Sequence, residues 1–162
     1  MNGALTYKLL DQPNGKDQVL PFLQEADLGI VDVRIKREPV PAGGFVFAGG
    51  PEMLIEQGPG QPTPNIVRVT MSHWDSEHKE QVELSFADES HGTQTLFVTA
   101  GAWLNVFKNG EVLLIDEIEV SLHPLLVRYL IQKFHSNENN PNNSQLIFTT
   151  HNTSLLGQKL FR

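Results

Sequence analysis

The clearest hydrophobic pattern lies in the second half of the chain. From Thr93 to Lys108, apolar residues fall at Leu96, Phe97, Ala100, Trp103, Leu104 and Phe107. Steps of three and four put these on one stripe of a helix. Asn109-Gly110 ends the stripe, and glycine suits a left-handed C-terminal cap. Val112–Ile115 is a continuous apolar run, the pattern of a strand buried on both faces. Pro124 fits the first turn of a further helix, whose apolar face is Leu126, Val127, Leu130, Ile131 and Phe134. A polar loop over 136–144 follows, and Leu146–Phe148 reads as a second short buried strand. Strand, helix and strand in this order form a βαβ unit, with parallel strands and a right-handed crossover.

The first half is less regular. Ile66–Ser72 and Val82–Phe86 alternate apolar and polar residues around the polar run DSEHKE, which predicts a β-hairpin or two neighbouring strands. Gln18–Asp27 reads as a short helix, and Ile30–Lys36 as a strand with imperfect alternation. Pro and Gly punctuate residues 37–65, which are expected to form a mobile loop. The division expected is therefore an irregular N-terminal part, 1–65, and a regular α/β part, 66–162. The Asn-rich stretch 137–143 reads as a solvated loop, and Trp103 as core.

Composition narrows the function classes. The 162 residues suit one domain or a large part of one, and 40% are apolar, enough to bury a core. Nineteen acidic and 12 basic residues give a formal charge of -7, a poor basis for broad contact with nucleic-acid phosphates. Lys36-Arg37 is the one adjacent basic pair. The absence of cysteine excludes disulfides and thiolate metal sites, and fits a cytoplasmic location. No apolar run approaches the ~18 residues of a membrane helix, and MNGALTYKLL does not read as a signal peptide, so no membrane partner is expected.

Three segments carry candidate chemistry. In VLLIDEIEVSLHP, residues 112–124, an apolar strand delivers two carboxylates to its C-terminal end, the edge where parallel sheets bind ligands. Asp116 is placed to hold Mg²⁺, directly or through a water, and Glu117 to polarise a water for attack on a γ-phosphate. Burial of one carboxylate beside the other is expected to raise one pKa of the pair. Glu119 is left open between metal and interface roles. The bland alternative is an acidic strand end that only aids solubility. In LIFTTHNTSLL, residues 146–156, a second strand ends in Thr149, Thr150, His151 and Asn152. By the βαβ argument, His151 comes to the same edge and within reach of the γ-phosphate. A lone histidine at a strand end is more often structural, and only its position one crossover after Asp-Glu lifts it above that reading. In Asp88–Thr93, Ser90 is a candidate N-cap, Gly92 permits close backbone approach, and a helix N-terminus favours an anion. Alone, this is an ordinary capping sequence. His73, His78 and His91 are better read as surface histidines than as zinc ligands.

Taken together, DESHGTQTLF, VLLIDEIEVSLHPLL and LIFTTHNTSLL resemble the C-terminal half of ABC-like ATPases. More closely, they resemble the AAA/ABC-type ATP-binding proteins of abortive-infection and RloA-like anti-phage systems. The resemblance covers roughly residues 20–162 and is most specific over 84–156. It implies a RecA-like P-loop fold of the ABC subclass that uses ATP and Mg²⁺, with Asp116 serving the metal, Glu117 as base and His151 as γ-phosphate sensor. It further implies that Ser90, Gly92 and Thr93 meet ATP bound to a second subunit, and that Ser121 and His123 lie in a D-loop across that interface. Thr93 stands where transporters carry Gln, which argues against a transporter subunit.

The phosphate loop Gly-x-x-x-x-Gly-Lys-Ser/Thr is not found. Gly15-Lys16 is followed by Asp17 and reads as a turn. The expectation is therefore a fragment that binds ATP poorly alone and works as a homodimer, or with a complementing P-loop half. An effector such as a nuclease is the partner in view. Two rivals share the sequence: an interaction module that has lost nucleotide binding, and a piece of a chromosome-structure or DNA-repair ATPase.

Overall fold

A computed structural model describes residues 3–26, 29–40, 54–56, 65–120 and 122–156. The helices are α1 (Ala4–Leu10), α2 (Lys16–Gln24), α3 (His91–Asn109), α4 (Pro124–His135) and α5 (Thr153–Leu156). The strands are β1 (Ile30–Pro39), β2 (Leu54–Glu56), β3 (Asn65–Asp75), β4 (Glu80–Ser85), β5 (Val112–Ile115) and β6 (Gln145–Phe148). The chain divides into two compact units, 1–26 with 91–162, and 27–90.

The unit formed by 27–90 is an antiparallel sheet. β3 pairs with β1 along one edge, and with β2 and β4 end to end along the other. Alternation holds in the middle of β3, where Val67, Val69 and Met71 are buried and Arg68 is exposed, while Ile66 and Ser72 toward its ends are buried as well. The outward face of β1 and β3 carries ion pairs, Arg34 with Asp32 and Glu83, and Glu38 with Lys36 and Arg68. The hairpin of β3 and β4 is as expected. Asp75 accepts the N–H groups of Glu77 and His78 and pairs with the His78 ring, and these bonds hold its carboxyl below the ordinary range. β1 runs past the expected end to Pro39, which an edge strand tolerates. Of the rest of the expected mobile loop, Val40, β2 and Asn65 at the start of β3 are described, and the other residues lie outside the described residues.

In the other unit, α3 carries the predicted stripe. Leu96, Phe97, Ala100, Trp103 and Phe107 are buried, and Gly110 has φ +70° with its N–H on the Val106 carbonyl, the cap foreseen for it. α1 was not foreseen. It crosses α3 at Gly101, where an added Cβ would lie 2.3 Å from the Thr6 backbone nitrogen. Thr6 is fully buried there: its hydroxyl donates to the Val98 carbonyl (2.9 Å) and accepts the Gly101 N–H (2.8 Å). α4 buries Leu126, Val127, Leu130 and Ile131, and Phe134 packs on Phe107 and Trp103. Lys133, also buried, bonds to Glu25 (2.6 Å) and Asn139 (2.9 Å) beside the Phe22 and Tyr129 rings. Burial and the neighbouring Glu25 carboxylate push the Tyr129 hydroxyl well above its ordinary value.

Two expectations are corrected. The 137–143 stretch is not simply solvated. Asn140 is buried and bonds to the Phe134 and Ser144 carbonyls, and Asn142 caps the end of α3 through the Phe107 and Lys108 carbonyls. Asparagine supplies the donors that these backbone oxygens lack at element ends. The strands β5 and β6 are parallel as expected but are not buried on both faces: Val112, Leu114 and Ile147 are 52%, 69% and 55% exposed. Leu113, Ile115, Leu146 and Phe148 are half-buried, so one face is partly covered and the second has no cover among the described residues.

Candidate functional site

Parallel pairing of Ile115 with Phe148 brings the C-terminal ends of β5 and β6 side by side. The ladder continues one step, with the Thr149 N–H on the Ile115 carbonyl (3.1 Å). Asp116 and Thr149 therefore meet at the edge. The Thr149 hydroxyl donates to Asp116 Oδ1 (2.5 Å) and accepts the Glu117 N–H (2.8 Å), and the Thr149 carbonyl accepts the Ile118 N–H (3.1 Å). Glu117 has φ +50°, in the left-handed region that non-glycine residues seldom enter.

His151 closes the cluster. Its Nε2 lies 3.2 Å from Glu117 Oε1, and its N–H donates to Glu119 Oε1. Glu117 and His151 are open to solvent, with side chains 47% and 85% exposed. The burial expected for the Asp116–Glu117 pair is thus absent, because these residues stand on the rim of a sheet with one face bare among the described residues. Glu119 behaves differently. Burial pushes its carboxyl up, but hydrogen bonds from the Thr150 hydroxyl, the His151 N–H and its own N–H outweigh this and leave it below the ordinary value.

The donors suit a hard cation. Mg²⁺ is typically held by one or two carboxylates, waters and substrate phosphates. Asp116 offers an exposed carboxylate at the strand end, and no group of three or more acidic, His or Cys side chains forms a closed cage among the described residues.

Over residues 7–157 the chain matches a family of AAA domains whose description points to the AbiEii toxin of type IV TA systems. The chain belongs to this AAA-domain family. No curated protein matches it. Membership gives the coarse reading, a P-loop ATPase-type domain of an abortive-infection kind built as α/β.

The other residues singled out in this AAA domain fall in the 88–93 and 121–123 segments. Ser90 is the last residue of the 27–90 unit, and α3 begins at His91. Ser90 is exposed, Gly92 half-buried and Thr93 buried. Ser121 lies outside the described residues. His123 caps α4, its Nδ1 accepting the Leu125 N–H (3.3 Å), with Pro124 at the first helical position. Of the three histidines weighed for zinc, His73 bonds to the buried Glu89 (2.6 Å) and His78 to Asp75. Sequence reasoning gave Thr149 no role and left Glu119 open. The usable signal was the parallel register, which sets the residue after one strand against the residue after the other. Among the described residues no helix is long and apolar enough to cross a membrane.

Proposed function

We propose that this chain is the part of a RecA-like, ABC-subclass ATPase domain that carries the signature segment, the metal carboxylate, the catalytic glutamate and the switch histidine. ATP would be hydrolysed to ADP and phosphate at a head-to-tail interface between two subunits. One arrangement carries the reading: Asp116, Glu117 and His151 gathered at the joined C-terminal ends of two adjacent parallel strands. That is the edge where such sheets bind ligands.

In this reading Asp116 holds Mg²⁺, which neutralises phosphate charge when bound. Glu117 accepts a proton from the attacking water, and His151 donates to the γ-phosphate. Ser90, Gly92 and Thr93 belong to the segment that meets the γ-phosphate of ATP held by the other subunit, at the start of α3. Ser121 and His123 lie in the D-loop at the subunit boundary.

The P-loop would come from a complementing segment, and the output would be control of an effector, such as a nuclease, in bacterial defence. The toxin–antitoxin description of the family supports a partner, and the effector is part of the proposal. A second reading, a nucleotide-independent interaction module, is favoured by the bare apolar face at Val112, Leu114 and Ile147. The test is Mg-ATP turnover after a P-loop-bearing half is supplied in trans. The proposal predicts turnover that depends on both pieces. Its absence, with partner binding retained without nucleotide, would leave the interaction module.

A further inference from the structure

The two strand ends hold each other's candidate catalytic residues. The restraint on Glu117 comes from the β6 side: the Thr149 hydroxyl accepts the Glu117 N–H while donating to Asp116, and the Thr149 carbonyl takes the Ile118 N–H. Glu117 sits at φ +50°, a conformation that persists only where the surroundings impose it. The restraint on His151 comes from the β5 side, where Glu119 Oε1 accepts the His151 N–H. The ladder itself ends at the Thr149 N–H, so neither restraint is a by-product of sheet pairing. Hydroxyl chemistry explains the first: Thr149 must accept and donate at once, which a methyl group cannot do. Carboxylate chemistry explains the second, since the segment from Thr149 onward is no longer strand and its N–H groups need acceptors.

We propose that Thr149 and Glu119 are a reciprocal pair of positioning residues, Thr149 fixing the Asp116–Glu117 turn and Glu119 fixing the backbone of His151. The roles of Glu117 and His151 rest on the ATPase reading given above, but the lacing is a property of the chain without nucleotide. Together the two straps present the Glu117–His151 pair already formed, so that substrate need not order it.

The test is water–amide exchange, measured by NMR on this chain without nucleotide. Thr149→Val keeps the shape and removes the hydroxyl, so exchange at the Glu117 amide should rise about tenfold while His151 stays within about twofold. Glu119→Ala should do the reverse, freeing His151 and sparing Glu117. Thr149→Ser and Glu119→Gln retain the needed acceptors and should restore wild-type exchange at each site. The inference is overturned if Glu117 is unaffected by Thr149→Val, if both amides respond alike to either change, or if the Leu130 amide in the core accelerates equally. If Thr149→Val does not fold, Thr149→Ala gives the same reading, and failure of Ser to rescue it counts against the lacing. Absence of ATP turnover in the complemented protein would remove the ATPase reading and leave the crossed exchange pattern to stand or fall separately.

Discussion

The two sheets of this chain obey different rules of burial. In the antiparallel sheet, Val67, Val69 and Met71 of the central strand are apolar and buried, and Arg68 and Thr70 between them are polar. Its exposed positions include the ion-paired Arg34 and Arg68, with Trp74 and Val82 open to solvent toward the hairpin end. In the parallel pair the residues are apolar on both faces, yet Val112, Leu114 and Ile147 meet solvent. The first sheet has sequence and surroundings in agreement. The second has a sequence suited to two covers and has one among the described residues, and it is this second sheet whose rim carries the candidate site.

The contrast can be broken by substitution, starting with the largest effect. Met71→Ala removes a fully buried side chain and should cost about 2–5 kcal/mol, read from urea unfolding. Gly101→Ala drives a Cβ into the backbone of α1, and the cost should be about 1–3 kcal/mol, with loss of amide protection in Thr6. Leu114→Ser should shift stability by no more than about 0.5 kcal/mol, because its side chain already stands in water. A cost near that of Met71→Ala would show that the second face is covered in solution, and the contrast between the sheets would collapse.

Acid should act on the site as well. The Glu119 carboxyl lies below its ordinary value of 4.5, so its bonds to the Thr150–His151 segment are complete above that value and lost as pH falls through the depressed one. The His151 amide should therefore lose protection only in that acid window. Loss near neutrality would contradict the assignment.

Much of this was legible in the sequence, for reasons that differ by element. The stripe of α3 and the face of α4 are long enough to show a helical period, and the Asp116-Glu117 and Thr149–His151 strand ends are marked by abrupt shifts from apolar to polar. α1, with seven residues, is too short to show a period, and its reason for existing is the close approach at Gly101, a long-range fact. The one-sided burial of β5 and β6 was misread because an apolar run states what a strand would bury, not what is present to bury it. Asn140 and Asn142 were read as solvated because their composition is that of a loop, while their work is to satisfy the ends of α3 and α4. Thr149 was given no role and Glu119 was left open because the partner of each lies at the end of the other strand.

The central claim, that Asp116, Glu117 and His151 form half of an ATP-hydrolysing site, is tested most directly by Glu117→Gln in the protein complemented with a P-loop half. The account predicts that Mg-ATP turnover falls by about 10²–10⁴ while ATP-dependent association of subunits persists. Turnover equal to that of the unsubstituted protein would contradict it.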